Sequence, residues 1–156
     1  MVEKLTNLKW SILAWEQGLL LAALAGLSNI SSSDNMIVLV VEDEDERAKE
    51  LQSYLQTKNT KVIRAHDGFE ALIFLKNHNP DLILSDINMP GMDGYRLIKR
   101  VKENEATRSI PFFVYSSRPL SSDSQDLTKE LGADHCLQNT EIDGIGSEAL
   151  SIFALL

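Results

Sequence analysis

The chain has 156 residues, 44% apolar and 24% charged, which is enough apolar content for a packed core and excludes wholesale disorder. Fifteen Lys and Arg against 23 Asp and Glu leave a net charge of −8, which repels phosphate backbones and argues against nucleic-acid binding. A single cysteine, Cys136, excludes an internal disulfide framework and a cysteine zinc site, and His66, His78 and His135 show no metal-ligand spacing.

In chain order, residues 1–35 come first, rich in Leu, Ala and Trp and ending in the polar stretch Ser28-Asn29-Ile30-Ser31-Ser32-Ser33-Asp34-Asn35, a linker composition. Leu8, Ile12, Trp15 and Leu19 share one helical face, so an apolar helix that docks on a partner or on the domain itself is expected. A signal peptide and a dispensable extension are the alternatives. Glu16 within the run and Ser28-Asn29 at its end argue against a membrane span.

Residues 36–156 form a second unit with an alternating pattern. The apolar run Ile37–Val41 reads as a strand buried on both faces. A helix over 46–56 follows, with Ala48, Leu51 and Leu55 on one face, then a short strand over 61–64. After a turn at Asp67-Gly68, a helix over 69–77 places Leu72 and Leu75 inward, and Asn79-Pro80 stops it. A strand over 82–85 ends at Asp86, and Asp93 is positioned to cap a helix over 95–103. Phe112–Tyr115 is the fourth strand and ends at Ser116, followed by a helix over 122–131 that Gly132 stops. A weak strand over 134–138 and a closing helix over 146–156 complete the pattern. Five strands alternating with five helices imply a parallel α/β sheet covered on both faces.

Three of these strands end in polar residues: Glu42 and Asp43, then Asp86, then Ser116. In open α/β sheets ligands bind beyond the carboxyl ends of the strands, where the strand order reverses. If the first and third strands are neighbours there, three carboxylates crowd one crevice and call for protons or a cation. Hard oxygen donors suit Mg²⁺ or Mn²⁺. A carboxylate in such a site can attack phosphorus, and the Ser116 hydroxyl can donate to a phosphoryl oxygen.

At these residues the chain resembles the response-regulator receiver family of two-component signalling, from about Met36 to Leu156. Val40-Val41-Glu42-Asp43-Glu44 is similar to the acidic pair after that family's first strand, and Asp81-Leu82-Ile83-Leu84-Ser85-Asp86-Ile87-Asn88-Met89-Pro90-Gly91-Met92-Asp93-Gly94 to its phosphoacceptor loop. The resemblance implies a flavodoxin-like three-layer sandwich with strand order 2-1-3-4-5. It also implies that Asp86 accepts the phosphoryl group and that Asp43, Asp86 and the main-chain oxygen of Asn88 bind Mg²⁺, with Glu42 acting mostly through water. Ser116 becomes the switch hydroxyl, and Asn88 and Arg118 tune how long the phosphate survives.

The chain departs from the family pattern on the fifth strand. Asn139 stands where the family has a lysine, Thr140 where a proline usually follows, and Cys136 where an aromatic toggle is usual. No Lys or Arg occurs from Glu130 to Leu156. A neutral hydrogen bond from Asn139 is worth about 1 kcal/mol against roughly 1.5–3 for a charged one, so phosphoryl acceptance is expected to be weakened. Arg118 is expected to supply part of the missing charge, and Phe113 and Tyr115 to be core side chains.

The function expected is that of a cytoplasmic stand-alone receiver. It would take phosphate from a sensor histidine kinase or phosphotransfer protein and signal by altered binding to a downstream target protein, with homodimerisation left open. The alternative is a phosphorylation-independent interaction module on a degenerate receiver site. A Mg²⁺ phosphatase ranks lower, because such enzymes commonly carry an acid two residues after the nucleophile and here that residue is Asn88. No turnover enzyme is expected, and there is no Gly-rich nucleotide loop with its lysine.

Overall fold

The structure, a computed structural model, describes residues 36–57, 59–116, 118–137 and 142–153. The expected apolar helix and linker of residues 1–35, and Asn139 with Thr140, lie outside the described residues. The described elements are β1 (Met36–Val41), α1 (Asp45–Leu55), β2 (Thr60–Ala65), α2 (Gly68–Leu75), β3 (Leu82–Asp86), α3 (Gly94–Glu103), β4 (Phe112–Tyr115), α4 (Ser122–Glu130), β5 (His135–Leu137) and α5 (Ile142–Phe153).

All the strand pairings are parallel, and the sheet order is β2-β1-β3-β4-β5, the flavodoxin-like arrangement. Successive strand side chains point to opposite faces, so each central strand feeds two cores. Val38, Val40, Leu82, Leu84, Phe113 and Tyr115 pack with Leu51 and Leu55 of α1 and Ile145 and Ala149 of α5. Leu39, Val41, Ile83, Phe112 and Val114 pack on the other face with Ala71 and Leu75 of α2 and Leu97, Ile98 and Val101 of α3. Burial on both faces is why β1, β3 and β4 read as near-continuous apolar runs rather than alternating ones.

Helix starts follow local chemistry. Asp67, Asp93 and Ser121 each accept a hydrogen bond from the main-chain N–H three residues on, capping α2, α3 and α4. The Asp67-Gly68 turn is therefore the entry to α2 itself. In that helix Ala71 and Leu75 are buried, while Leu72, expected inward, is half-buried.

The largest correction concerns α5, which starts at Ile142 rather than Gly146. A β-carbon at Gly146 would lie 2.9 Å from Tyr54 Cβ. The missing side chain lets α5 approach α1 closely; it does not end a helix. Among the described residues, no helix is long and apolar enough to cross a membrane.

Candidate phosphoacceptor and metal site

The parallel register sets the site. Val41 lies beside Ser85 and Asp86 beside Tyr115, so β1, β3 and β4 finish at one level. Glu42 and Asp43 follow β1, Asp86 ends β3 and Ser116 follows β4, and all emerge at the same edge. One carboxylate oxygen from each of Glu42, Asp43 and Asp86 lies within 4.8 Å of the others. Glu42 and Asp86 are buried and Asp43 is exposed, so the crevice has an inner wall and a wet rim.

Asp86 is held by its own loop. Its Oδ1 accepts the Ile87 N–H at 2.7 Å, and the Asn88 N–H also favours its charged form. Burial nevertheless pushes its carboxyl above the usual range, and Asp43 adds to the rise. Gly94, the first residue of α3, sits against this turn: a β-carbon there would lie 2.5 Å from the Asp86 carbonyl oxygen and 2.8 Å from Ile87 Cα.

Glu42 is fully buried. Its Oε1 accepts the Glu44 N–H at 3.0 Å and its Oε2 accepts the Tyr115 hydroxyl in a short hydrogen bond. Burial raises its carboxyl above the ordinary range, and the negative charge of Asp86 adds to the effect. The same pairing and burial drive the Tyr115 phenol well above its ordinary value. Tyr115 is thus the core residue expected, and its hydroxyl also reaches over β3 to the acid ending β1.

Three contributors are not singled out by the sequence pattern. Tyr115 is one, and its signal is a hydroxyl at the end of an otherwise apolar strand. Arg64 of β2 is the second: its Nε and Nη2 donate to the carbonyl oxygens of Glu42 and Asp43, each at 3.1 Å, while Nη1 pairs with Asp45 Oδ1 at 2.6 Å. A charge inside the apolar β2 pattern, in register with Val40, is the trace it leaves. Arg47 is the third, its Nη2 lying 2.9 Å from Glu44 Oε2 and its charge lowering both Glu42 and Asp86.

Ser116 is 1% exposed, and its Oγ accepts the Arg118 main-chain N–H at 3.3 Å. The residues expected to modulate the site, Asn88 and Arg118, are exposed beside it. Cys136 is half-buried on β5 beside Val114, where burial pushes its thiol up.

The donor set fits a hard divalent cation. Carboxylate oxygens converge with water access from the Asp43 side, and the two buried acids carry a desolvation penalty that a cation would offset.

A parallel sheet ordered 2-1-3-4-5 with acids converging at its carboxyl edge places the chain among the flavodoxin-like α/β domains. The family described as response regulator receiver domain matches residues 38–141, and the chain belongs to that family. It is 32% identical over 125 residues to the sensor histidine kinase RcsC of Escherichia coli K12, an alignment covering 80% of this chain and 13% of RcsC. The chain therefore spans a small part of that relative. The chemotaxis response regulator CheY4 of Vibrio cholerae is 26% identical and superposes with a TM-score of 0.69 over 76% of this chain and 98% of that one. The Mn²⁺-bound form of the response regulator Rcp1 is 26% identical, with a TM-score of 0.64 over 74% and 94% of the two chains.

Proposed function

We propose that this chain is a phosphoacceptor in two-component signalling. Asp86 takes a phosphoryl group from a sensor histidine kinase or phosphotransfer protein, in the cytoplasm, and the modified domain changes its grip on a downstream target protein. The convergence of Glu42, Asp43 and Asp86 oxygens within 4.8 Å at the mouth of the sheet carries this reading. The naming of RcsC as a histidine kinase supports the partner, and the Mn²⁺-bound Rcp1 supports a divalent cation.

Mg²⁺ would be held by Asp43, Asp86 and the main-chain oxygen of Asn88, with Glu42 behind them. When bound, it screens the carboxylates from the incoming phosphoryl oxygens and stabilises charge on the transferring group. The protein's own residues orient the reaction. The Ile87 N–H fixes the Asp86 carboxylate. Ser116 Oγ accepts from Arg118 N–H and so keeps its own proton to donate toward a phosphoryl oxygen. The Tyr115 hydroxyl holds Glu42 in place. Asn88, Arg118 and Asn139 are assigned to the lifetime of the phosphate.

The competing reading is a phosphorylation-independent interaction module, and Asn139 in the place of the family's lysine favours it. Incubation of the full chain with Mg²⁺ and phosphoramidate, or with a candidate kinase, separates the two. The expected result is an acid-stable, base-labile phosphoprotein that Asp86→Ala abolishes. No label from any donor would favour the module.

A further inference from the structure

Glu42 is held on its main chain and on both carboxylate oxygens. Its N–H donates to the Ala65 carbonyl at 3.0 Å, and its own carbonyl accepts Arg64 Nε at 3.1 Å. Its Oε1 accepts the Glu44 N–H at 3.0 Å, and its Oε2 accepts the Tyr115 hydroxyl. Tyr115 is as firmly seated. It is fully buried, lies in register between Asp86 of β3 and Leu137 of β5, and its carbonyl accepts the Ile87 N–H at 3.2 Å.

The hydroxyl takes one lone-pair direction of Oε2 and fixes where the carboxylate points. Turning Oε2 toward a cation would break a hydrogen bond between two fully buried side chains, where a lost partner is costly. Contact through a bridging water asks for no such turn. Mg²⁺ tolerates this arrangement, because it is small, keeps several waters and takes one or two carboxylates directly. Ca²⁺ is larger, takes about six to eight oxygens and gains more from each direct carboxylate.

We infer that Tyr115 is a specificity-determining positioning residue: by holding Glu42 Oε2 it keeps that carboxylate out of direct contact with the cation, and so biases the acidic crevice toward Mg²⁺ over Ca²⁺. The inference rests on a divalent cation among Glu42, Asp43 and Asp86, and not on phosphoryl transfer.

Calorimetric titrations of the full chain with Mg²⁺ and with Ca²⁺ test it. Tyr115→Phe keeps the ring in the core and deletes the hydroxyl. It is expected to raise Ca²⁺ affinity relative to Mg²⁺ affinity by about fivefold, since the freed Oε2 adds a direct ligand that the larger ion uses better. A hydroxyl that served only to shape the core would shift both affinities by the same factor, so an unchanged or lowered ratio overturns the inference. Glu42→Gln, with Tyr115 intact, gives a second reading that does not depend on the folding of Tyr115→Phe. Both affinities should fall together, with the ratio moving by less than about twofold, because Glu42 acts through water. A selective loss of Ca²⁺ binding would mean that Glu42 already touches the cation, and overturns the inference. In the double variant Tyr115→Phe/Glu42→Gln the ratio should return to that of the unaltered chain. A gain that persists there would mean that Tyr115 does not act through Glu42, and overturns it too. An unaltered chain that binds neither cation overturns the metal assignment and this inference with it. One that binds Mg²⁺ but takes no label from phosphoramidate overturns the phosphoacceptor reading, and the ratio still decides for or against Tyr115.

Discussion

Acids occupy both edges of this sheet and serve opposite ends. At the edge where strands begin, Asp81 Oδ2 accepts the Ile37 N–H at 2.7 Å, and Asp134 Oδ2 accepts the Phe112 N–H at 2.7 Å and pairs with Lys102 Nζ at 2.8 Å. Lys102 completes its coordination on the carbonyl oxygens of Arg108 and Ile110. Each of these acids ties a strand to its neighbour, and Asp134 also has a cation for its charge. At the edge where strands end, Glu42, Asp43 and Asp86 face one another, and burial pushes two of them toward the protonated form. One edge uses carboxylates to hold the sheet, and the other concentrates charge that protons or a cation relieve. Position along the strand, more than residue type, decides which.

The contrast is broken most severely at Gly94, where packing holds the ending edge in shape. A methyl group there meets main-chain atoms of Asp86 and Ile87 that cannot step aside. Gly94→Ala is expected to lower stability by about 3 kcal/mol and to displace Asp86, so that whatever protein remains folded labels poorly. Denaturant titration with a labelling assay on the folded fraction checks both.

Asp134→Ala sharpens the contrast from the other edge. It leaves the Lys102 ammonium, with its side chain 17% exposed, lacking its carboxylate, and it removes the acceptor of the Phe112 N–H. The expected loss is about 2 kcal/mol in denaturant titration. Labelling of Asp86 per folded molecule should not change, since Asp134 lies at the far end of the strands. A matching fall in labelling would show that the two edges are not separable.

Much of this was legible in the sequence. Apolar runs of strand length and helical periodicity give the alternation, because a sheet covered on both faces has no other pattern to write. The acids after β1 and β3 and the hydroxyl after β4 mark the ending edge, because strand ends are where the apolar code stops. What stayed hidden needs distance across the sheet. The reach of Tyr115 over β3 to Glu42 and the grip of Arg64 on the β1–α1 loop depend on strand register, which no local window contains. The start of α5 failed for a related reason. Gly146, read as the first residue of the helix, lies inside it, with Tyr54, distant in sequence, packed against it.

The smallest expected effect is the sharpest probe of the comparison, because it has the opposite sign from most substitutions. Asp86 is 3% exposed and its carboxyl is raised by burial. The folded state therefore takes up a proton more readily than the unfolded chain. Below the ordinary carboxylate range both states are protonated and the acid costs nothing. As pH rises through that range to the folded-state value the cost accrues, and at neutrality it is fully present. Asp86→Asn keeps an oxygen for the Ile87 N–H and removes the charge. It should stabilise the metal-free protein at neutral pH by about 1 kcal/mol, the low end for neutralising a buried charge. The gain should fade as the pH is lowered to about 4, near the ordinary carboxylate value. Added Mg²⁺ at neutral pH should close the gap from the other direction, because it binds the folded carboxylate form and stabilises the unaltered protein alone. Denaturant titrations of the two proteins across pH, with and without Mg²⁺, test this. A variant less stable than its parent at neutral pH without metal would mean that Asp86, like Asp134, is satisfied where it sits.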